Sequence, residues 1–349
     1  MATTIAVRPG EEFDKERVEL YLRSHLQGLP LEALQVEEFS EGHSNLTYLL
    51  TCGPWQGVLR RPPLGPVAPK AHDMKREFQV LQAVRPHVAA APQPLLYCDN
   101  LDVLGAPFYV MEFVNGVVVD TQWPASFLDT ADARRQASMA MVDTLAAIHS
   151  VNPDSPQIAA IGRGTGYMQR QVEGWIRRHQ MAQTDEEMPE VETIGRWLLH
   201  HVPKDSATAL IHNDFKLNNV VFAPGHPDRI VGVVDWEMAT VGDPLSDLAI
   251  TLSYWAEPND LPALSRGLGE VTAQPGFMTR DELIHRYAIV TGRDVTQMKF
   301  YLTFAYFKAA GICRQIYYRW WRGQTGDERF EKLGLLAKGL LQVAMIHTQ

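Results

Sequence analysis

The chain has 349 residues, 46% hydrophobic and 21% charged, a globular balance that argues against a disordered chain. Its formal net charge is -9, whereas a nucleic-acid binder needs a surplus of Lys and Arg to meet phosphates. Cys52, Cys98 and Cys313 are odd in number and widely spaced, so they offer neither a zinc spacing nor a disulfide framework and suit a reducing, cytoplasmic setting.

The first ten residues lack a basic start followed by an apolar run, so no secretory signal is expected. No stretch approaches the ~20 apolar residues that span a bilayer, and the most apolar helical run, from Phe300-Tyr301-Leu302 onward, carries Lys308 and Arg314. Residues 12–26 read as a helix, with Val18, Leu22 and Leu26 on one stripe. Strands follow at 36–39, 47–51 and 57–61, the last stopped by Pro62-Pro63. The turn-rich Ser40-Glu41-Gly42-His43-Ser44-Asn45 separates the first two. A helix over 71–84 and strands near 95–97 and 108–111 complete a small α+β region. After Asn115-Gly116 the pattern turns helical, at 131–151, 167–181 and 192–201. Three short apolar runs interrupt it at 209–211, 220–222 and 230–234, and helices resume from Leu245. No internal repeat is visible. The expected division is residues 1–113, β-rich, and 114–349, mostly helical.

Between two apolar runs lies His212-Asn213-Asp214-Phe215-Lys216-Leu217-Asn218-Asn219, an H-x-D-x-x-x-x-N pattern. Phosphoryl transfer needs a carboxylate that accepts or orients the acceptor's hydroxyl proton, and Asp214 suits that role. Asn219 offers a neutral oxygen to a hard cation. A second acid, Asp235, ends the apolar run Val233-Val234, where it can join Asn219 in holding magnesium. Lys216 reads equally as a γ-phosphate contact or a solvated lysine, and His212 as a brace for the loop. Asn218 reads as a loop residue. Asp243 reads as a cap for the next helix, because Pro244 suits the first helical position.

His212, Asp214, Asn219 and Asp235, continued by Gly242-Asp243-Pro244-Leu245-Ser246-Asp247, resemble the aminoglycoside phosphotransferase and choline kinase superfamily. The resemblance covers nearly the whole chain. It implies a protein-kinase-like, two-lobed α+β fold, ATP and magnesium as cofactors, and Asp247 holding the catalytic loop. Segments 163–175, 275–287 and Thr291-Gly292-Arg293-Asp294 are similar to a subgroup whose kinase-like domain is fused to, or encoded beside, acyl-CoA dehydrogenases.

By the same resemblance, residues 39–48 take the place of the nucleotide loop, with Ser44 and Asn45 as side-chain donors to phosphate. Arg60 stands where the family usually carries a phosphate-binding Lys, with Glu77 as its helix partner; Arg and Lys differ in geometry there. Adenine would bond to the backbone of Glu112-Phe113-Val114. Arg61 is expected to face solvent, and His149 to be structural. The aromatic stretch 301–322 reads as core, as pocket wall or as a homodimer surface. If Arg314 faces the substrate, it favours an anionic acceptor.

These readings converge on an ATP- and Mg-dependent kinase acting on a small-molecule hydroxyl, with no nucleic-acid or membrane partner. The subgroup points to a hydroxy acid or hydroxyacyl-CoA acceptor and to a functional link with acyl-CoA dehydrogenase. The alternatives are a nucleotide-binding pseudokinase that regulates a partner, and an aminoglycoside- or choline-type kinase. A protein kinase fits poorly, because Asp235 runs almost directly into Gly242-Asp243-Pro244 and leaves no activation segment.

Overall fold

The computed structural model describes residues 4–40, 45–64, 72–185, 187–204, 207–261, 264, 270–325 and 327–349. They form two compact units: Met1–Val118 with Asn219–Pro224 and Ile230–Met238, and Val119–Asn218 with Gly225–Arg229 and Ala239–Gln349. The first is β-rich and the second mostly helical, an α+β chain.

The first unit is built on strands β1 (Thr4–Ile5), β2 (Gln35–Phe39), β3 (Leu46–Cys52), β4 (Trp55–Arg61), β5 (Pro94–Cys98) and β6 (Phe108–Glu112). They form one antiparallel sheet in the order β1-β2-β3-β4-β6-β5. Side chains alternate across a strand, so each strand serves two faces. Leu46, Tyr48 and Leu50 of β3, Leu59 of β4, and Phe108 and Val110 of β6 pack on one face with Val18 and Leu22. Those two lie on helix α1 (Lys15–His25), whose start is three residues later than the apolar stripe suggested, because Asp14 accepts from the Arg17 N–H and caps it. Helix α2 (Met74–Val84) is capped in the same way by Asp73 and sets Phe78 against Tyr97 and Tyr109 on the opposite face.

This alternation corrects one expectation. Arg60 pairs across the sheet with Tyr109 and shares its face, toward α2. Arg61 therefore turns to the face of Tyr48, and it is buried rather than solvent-facing. A one-turn helix, α3 (Leu101–Leu104), and the short β1 carry too few residues for a periodic pattern and were not legible. Strand β8 (Val220–Ala223) pairs with β9 (His226–Val233). Residue 116 of the first unit must be small, since a Cβ there would stand 2.3 Å from the Phe222 carbonyl oxygen.

The second unit holds helices α4 (Ala131–His149), α5 (Pro156–Ala159), α6 (Tyr167–Met181), α7 (Pro189–His200), α8 (Pro244–Ser253), α9 (Arg280–Thr291), α10 (Met298–Trp321) and α11 (Lys332–Thr348), of which α4, α5 and α8 pack on one short ladder. That ladder pairs β7 (Ala209–Ile211) antiparallel with β10 (Thr240–Gly242). α7 begins before its apolar pattern because Pro189 sits at the first helical positions. α10 is the axis of the unit and packs on α6, α8 and α11. It is buried on nearly every side through its first seventeen residues, Lys308 and Arg314 included. Gly311 lets Trp175 and His179 approach it, because a Cβ there would come within 2.9 Å of the Trp175 ring. Among the described residues no helix is long and apolar enough to cross a membrane.

Candidate active site

The second unit fixes the 212–214 loop from several sides. β7 ends at Ile211, and β10 runs into Asp243, which accepts from the Leu245 N–H and the Tyr301 hydroxyl and starts α8. That start brings Asp247 into the first turn of α8, fully buried. Its carboxylate accepts from the backbone N–H groups of His212 and Asn213, each at 2.7 Å, and from His149 Nε2 at 3.1 Å. His149 is oriented in turn by the Tyr287 hydroxyl at 2.7 Å. Burial alone would raise the Asp247 pKa, but the His149 hydrogen bond and charge and the backbone N–H groups hold it below the usual carboxylate range. Asp247 thus stays an anion where the loop needs an acceptor.

Asn213 takes a left-handed backbone, φ 68°, a conformation Asn tolerates better than most residues. Its side-chain oxygen accepts from the Tyr167 hydroxyl at 3.0 Å and its carbonyl from Lys308 Nζ at 3.4 Å. His212 is buried, and its Nδ1 accepts from the Asp214 N–H at 3.3 Å, which braces the loop. Asp214 is half-buried and pairs with Lys216 Nζ at 3.0 Å. Lys216 also lies over the Tyr254 ring, 5.1 Å from its centre. Burial, and then the neighbouring Asp214 charge and hydrogen bond, push the Tyr254 phenol up, so it remains a donor to Asp214. The arrangement can take a proton at Asp214 while a cation beside it steadies the charge.

The first unit assembles a different chemistry. Arg60 on β4 is buried; its Nη1 lies 2.9 Å from Glu77 Oε1 of α2, and both Nη atoms lie 3.3 Å from Asp235 Oδ1. Asp235, also left-handed at φ 65°, lies two residues beyond the end of β9. The Val234 N–H donates to the Asn219 carbonyl at 2.9 Å, which sets residue 219 beside the start of this segment. Glu237 accepts from Asn45 Nδ2 at 3.1 Å. Burial, and then Asp235 beside it, raise the Glu237 pKa to about 7. Burial likewise raises Glu77 against the pull of Arg60. Three acids therefore gather around Arg60, with Arg76 donating to the Glu237 carbonyl beside them, an acid-rich cluster that a cation would further neutralise. Among the described residues no three His, Cys, Asp or Glu form a metal cage. Magnesium does not require one, since it keeps waters and takes phosphate oxygens beside one or two protein oxygens. Asn219 and Asp235 fit that donor set.

Within the first unit, then, the structure brings together Arg60, Glu77, Asn219, Asp235 and Asn45; within the second, His212, Asp214 and Lys216. Asn45 has both ends of its amide engaged, the oxygen with His72 at 2.8 Å. Glu112 is exposed and gives its backbone N–H to the Gln93 carbonyl, so that amide is not available to a base. Val114 packs on Gly232, where a Cβ would stand 2.8 Å from its Cγ1. Ser44, with residues 41–44, lies outside the described residues. Asn218, expected in a loop, lies in a single 3-10 turn, Leu217–Asn219, and donates to Asp120 Oδ1 at 3.1 Å. Arg314 is turned toward His179 Nδ1 and the Ala182 carbonyl, at 3.1 and 3.3 Å. Sequence reasoning missed the contributions of Tyr167, Tyr254, Lys308 and Glu237. Only Glu237 had a local signal, its adjacency to Asp235.

A family model described as the phosphotransferase enzyme family matches residues 35–284. Acyl-CoA dehydrogenase family member 11 from Homo sapiens is 36% identical over 329 residues, 92% of this chain and 41% of that protein. The chain thus spans about two fifths of that curated relative's length. A crystal structure from Ralstonia eutropha, assigned provisionally to the aminoglycoside phosphotransferases, superposes with TM-score 0.80 at 29% identity, covering 97% of this chain and 98% of that one. Choline kinase from Cryptosporidium parvum Iowa II shares the fold, with TM-score 0.63 at 13% identity over 96% and 95% of the two chains.

Proposed function

Because the chain belongs to the phosphotransferase enzyme family, we propose that it moves the γ-phosphate of ATP, in the presence of magnesium, onto a hydroxyl of a small molecule. The observation that carries this reading is the loop of Asp214, held by the ionised Asp247 through two backbone N–H groups. Asp214 orients the acceptor hydroxyl and takes its proton as the oxygen–phosphorus bond forms and the bond to the β-phosphate oxygen breaks. Lys216 steadies the carboxylate as it does so. Arg60, fixed by Glu77, presents a guanidinium to nucleotide phosphates, and Asn219 with Asp235 would hold magnesium. The bound metal would supply neutralisation of charge on those phosphates. In such a transfer positioning and charge neutralisation provide most of the rate.

The name of the human relative supports an acceptor from acyl chemistry, a hydroxy acid or a hydroxyacyl-CoA, and a functional link with an acyl-CoA dehydrogenase. Asp214→Ala tests the reaction: acceptor-dependent ADP release should fall about 10²–10⁴-fold, the usual contribution of a positioned base, while nucleotide binding stays. Full activity in that variant would refute the mechanism. Asp235→Ala should weaken nucleotide binding only when magnesium is present; unchanged metal dependence would remove Asp235 from the site.

A further inference from the structure

A cavity of about 540 Å³ opens in the second unit where α7 ends and α10 begins. None of its lining residues belongs to the loop of Asp214 or to the groups that hold that loop. Pro203 disfavours helix at the residue before it, and α7 stops with His201 as its C-cap. α10 starts after Gln297, whose side chain makes no capping bond. The two helices pack together, and the Trp197 ring lies 6.3 Å from that of Phe300, 24° from parallel. These two rings and Pro203 give the cavity an apolar wall.

Its polar side is basic. Lys204 and Lys299 line it and are exposed, and neither ammonium has a hydrogen-bond or ion-pair partner among the described residues. His201 gives Nδ1–H to the Trp197 carbonyl at 2.8 Å and stacks on the Trp197 ring at 4.2 Å, which leaves its Nε2 to other partners. Among the described residues no acid lines the cavity, in a chain of net charge -9. Lys299 also stands in the first turn of a 24-residue helix, with no acid in that turn. The helix dipole opposes a cation there and favours an anion.

We propose that this cavity is a second ligand site, one that takes a small organic anion. The ligand's apolar body lies against Trp197 and Phe300, and its carboxylate or phosphate monoester meets Lys204 and Lys299. The volume is that of an ordinary small-molecule site, which pairs an apolar lining with a few polar groups. An inorganic anion would leave the apolar wall in water. A cationic ligand would meet both lysines at like sign. The inference stands independently of the phosphotransfer reading.

Calorimetry on the whole protein tests this with phenylbutyrate, phenylbutyl phosphate, phenylbutanol and phenylbutylamine, four probes with one apolar body. Inorganic phosphate serves as the head group alone. At least one organic anion should bind about 10-fold more tightly than the alcohol, the scale of two exposed charge pairs. It should also bind more tightly than inorganic phosphate, and the amine should bind least. Added salt should erode the preference, since both lysines are exposed. The double variant Lys204→Gln with Lys299→Gln should lose the preference and leave the alcohol's affinity unchanged. Trp197→Phe should keep the affinity but lose most of the tryptophan fluorescence change that the anion causes. Which head group binds better separates a carboxylate ligand from a phosphate ester. Equal affinity for anion and alcohol in wild type, or no binding of any probe, would overturn the proposal even if a variant failed to fold. So would a folded double variant that keeps the anion preference. A preference lost instead in Arg60→Met would place the anion with that guanidinium and also overturn the proposal.

Discussion

The two units place a non-glycine residue in the left-handed region beside their charged groups, Asn213 at φ 68° and Asp235 at φ 65°, yet they secure it differently. Asn213 is bonded at its N–H, its carbonyl and its side chain, by Asp247, Lys308 and Tyr167. Asp235 is met by Arg60 at 3.3 Å, in company with two further acids whose pKa values are raised. Unusual backbone persists where the surroundings over-determine it. The protein itself completes the loop of Asp214, whereas the cluster of Asp235, on the function proposed above, would be completed by a cation and phosphates.

The largest effect expected on that contrast is at Asp247. Asp247→Asn removes the charge that His149 and two backbone N–H groups face, and breaking such a buried network costs about 3–5 kcal/mol. Chemical denaturation should show that loss; a change under about 1 kcal/mol would mean the loop is not held as described. Arg60→Met probes the other unit. It leaves Glu77 and Asp235 without their shared guanidinium, so nucleotide affinity should fall by about 10-fold or more. Because the acid excess grows, the variant should also depend more steeply on magnesium. Equal nucleotide titrations for the variant and wild type would dissolve the contrast.

Lys308 gives a smaller effect of opposite sign. Its folded pKa, about 8, lies below a lysine's ordinary 10.5, so keeping the buried ammonium charged is destabilising at neutral pH. That cost fades as pH rises from 8 toward 10.5. Lys308→Met should therefore raise stability at pH 7, by up to about 3 kcal/mol, and the gain should vanish in alkali. A destabilised variant at pH 7 would show that Lys308 serves the fold. The smallest effect is expected at His179, whose burial lowers its pKa from 6.5 to about 4. Its Nε2 bonds to the Phe307 carbonyl at 2.9 Å. The unfolded chain takes up the proton first, so the contribution is whole above pH 6.5 and lost as pH falls toward 4. At pH 5 the loss should be about 2 kcal/mol, and it should be absent in His179→Gln. Equal acid sensitivity in both proteins would contradict that assignment.

Much of this was legible in the chain. Short apolar runs bounded by a turn-rich stretch and by Pro62-Pro63 located β3 and β4, and the spacing of His212, Asp214 and Asn219 located the loop, because strand runs and loop chemistry are local properties. The resemblance supplied Asp247. What stayed hidden depended on facing. A helix such as α10, buried nearly all round, has no polar side to orient it, so the sequence could not say that Lys308 turns to Asn213 and Arg314 to His179. Arg61 escaped for a related reason: the strand could be placed, but not that both faces of the sheet are covered there. The engagement of Asn45 with Glu237 spans nearly two hundred residues and leaves no local trace.

The most direct test is ADP release by the purified protein with magnesium and ATP across hydroxy acids, hydroxyacyl thioesters, aminoglycosides, choline and sugars, with Asp214→Ala alongside. The account predicts turnover with hydroxyacyl acceptors, lost in the variant while nucleotide binding persists. Turnover that survives in Asp214→Ala, or acceptor-independent ADP release equal in both proteins, would contradict it.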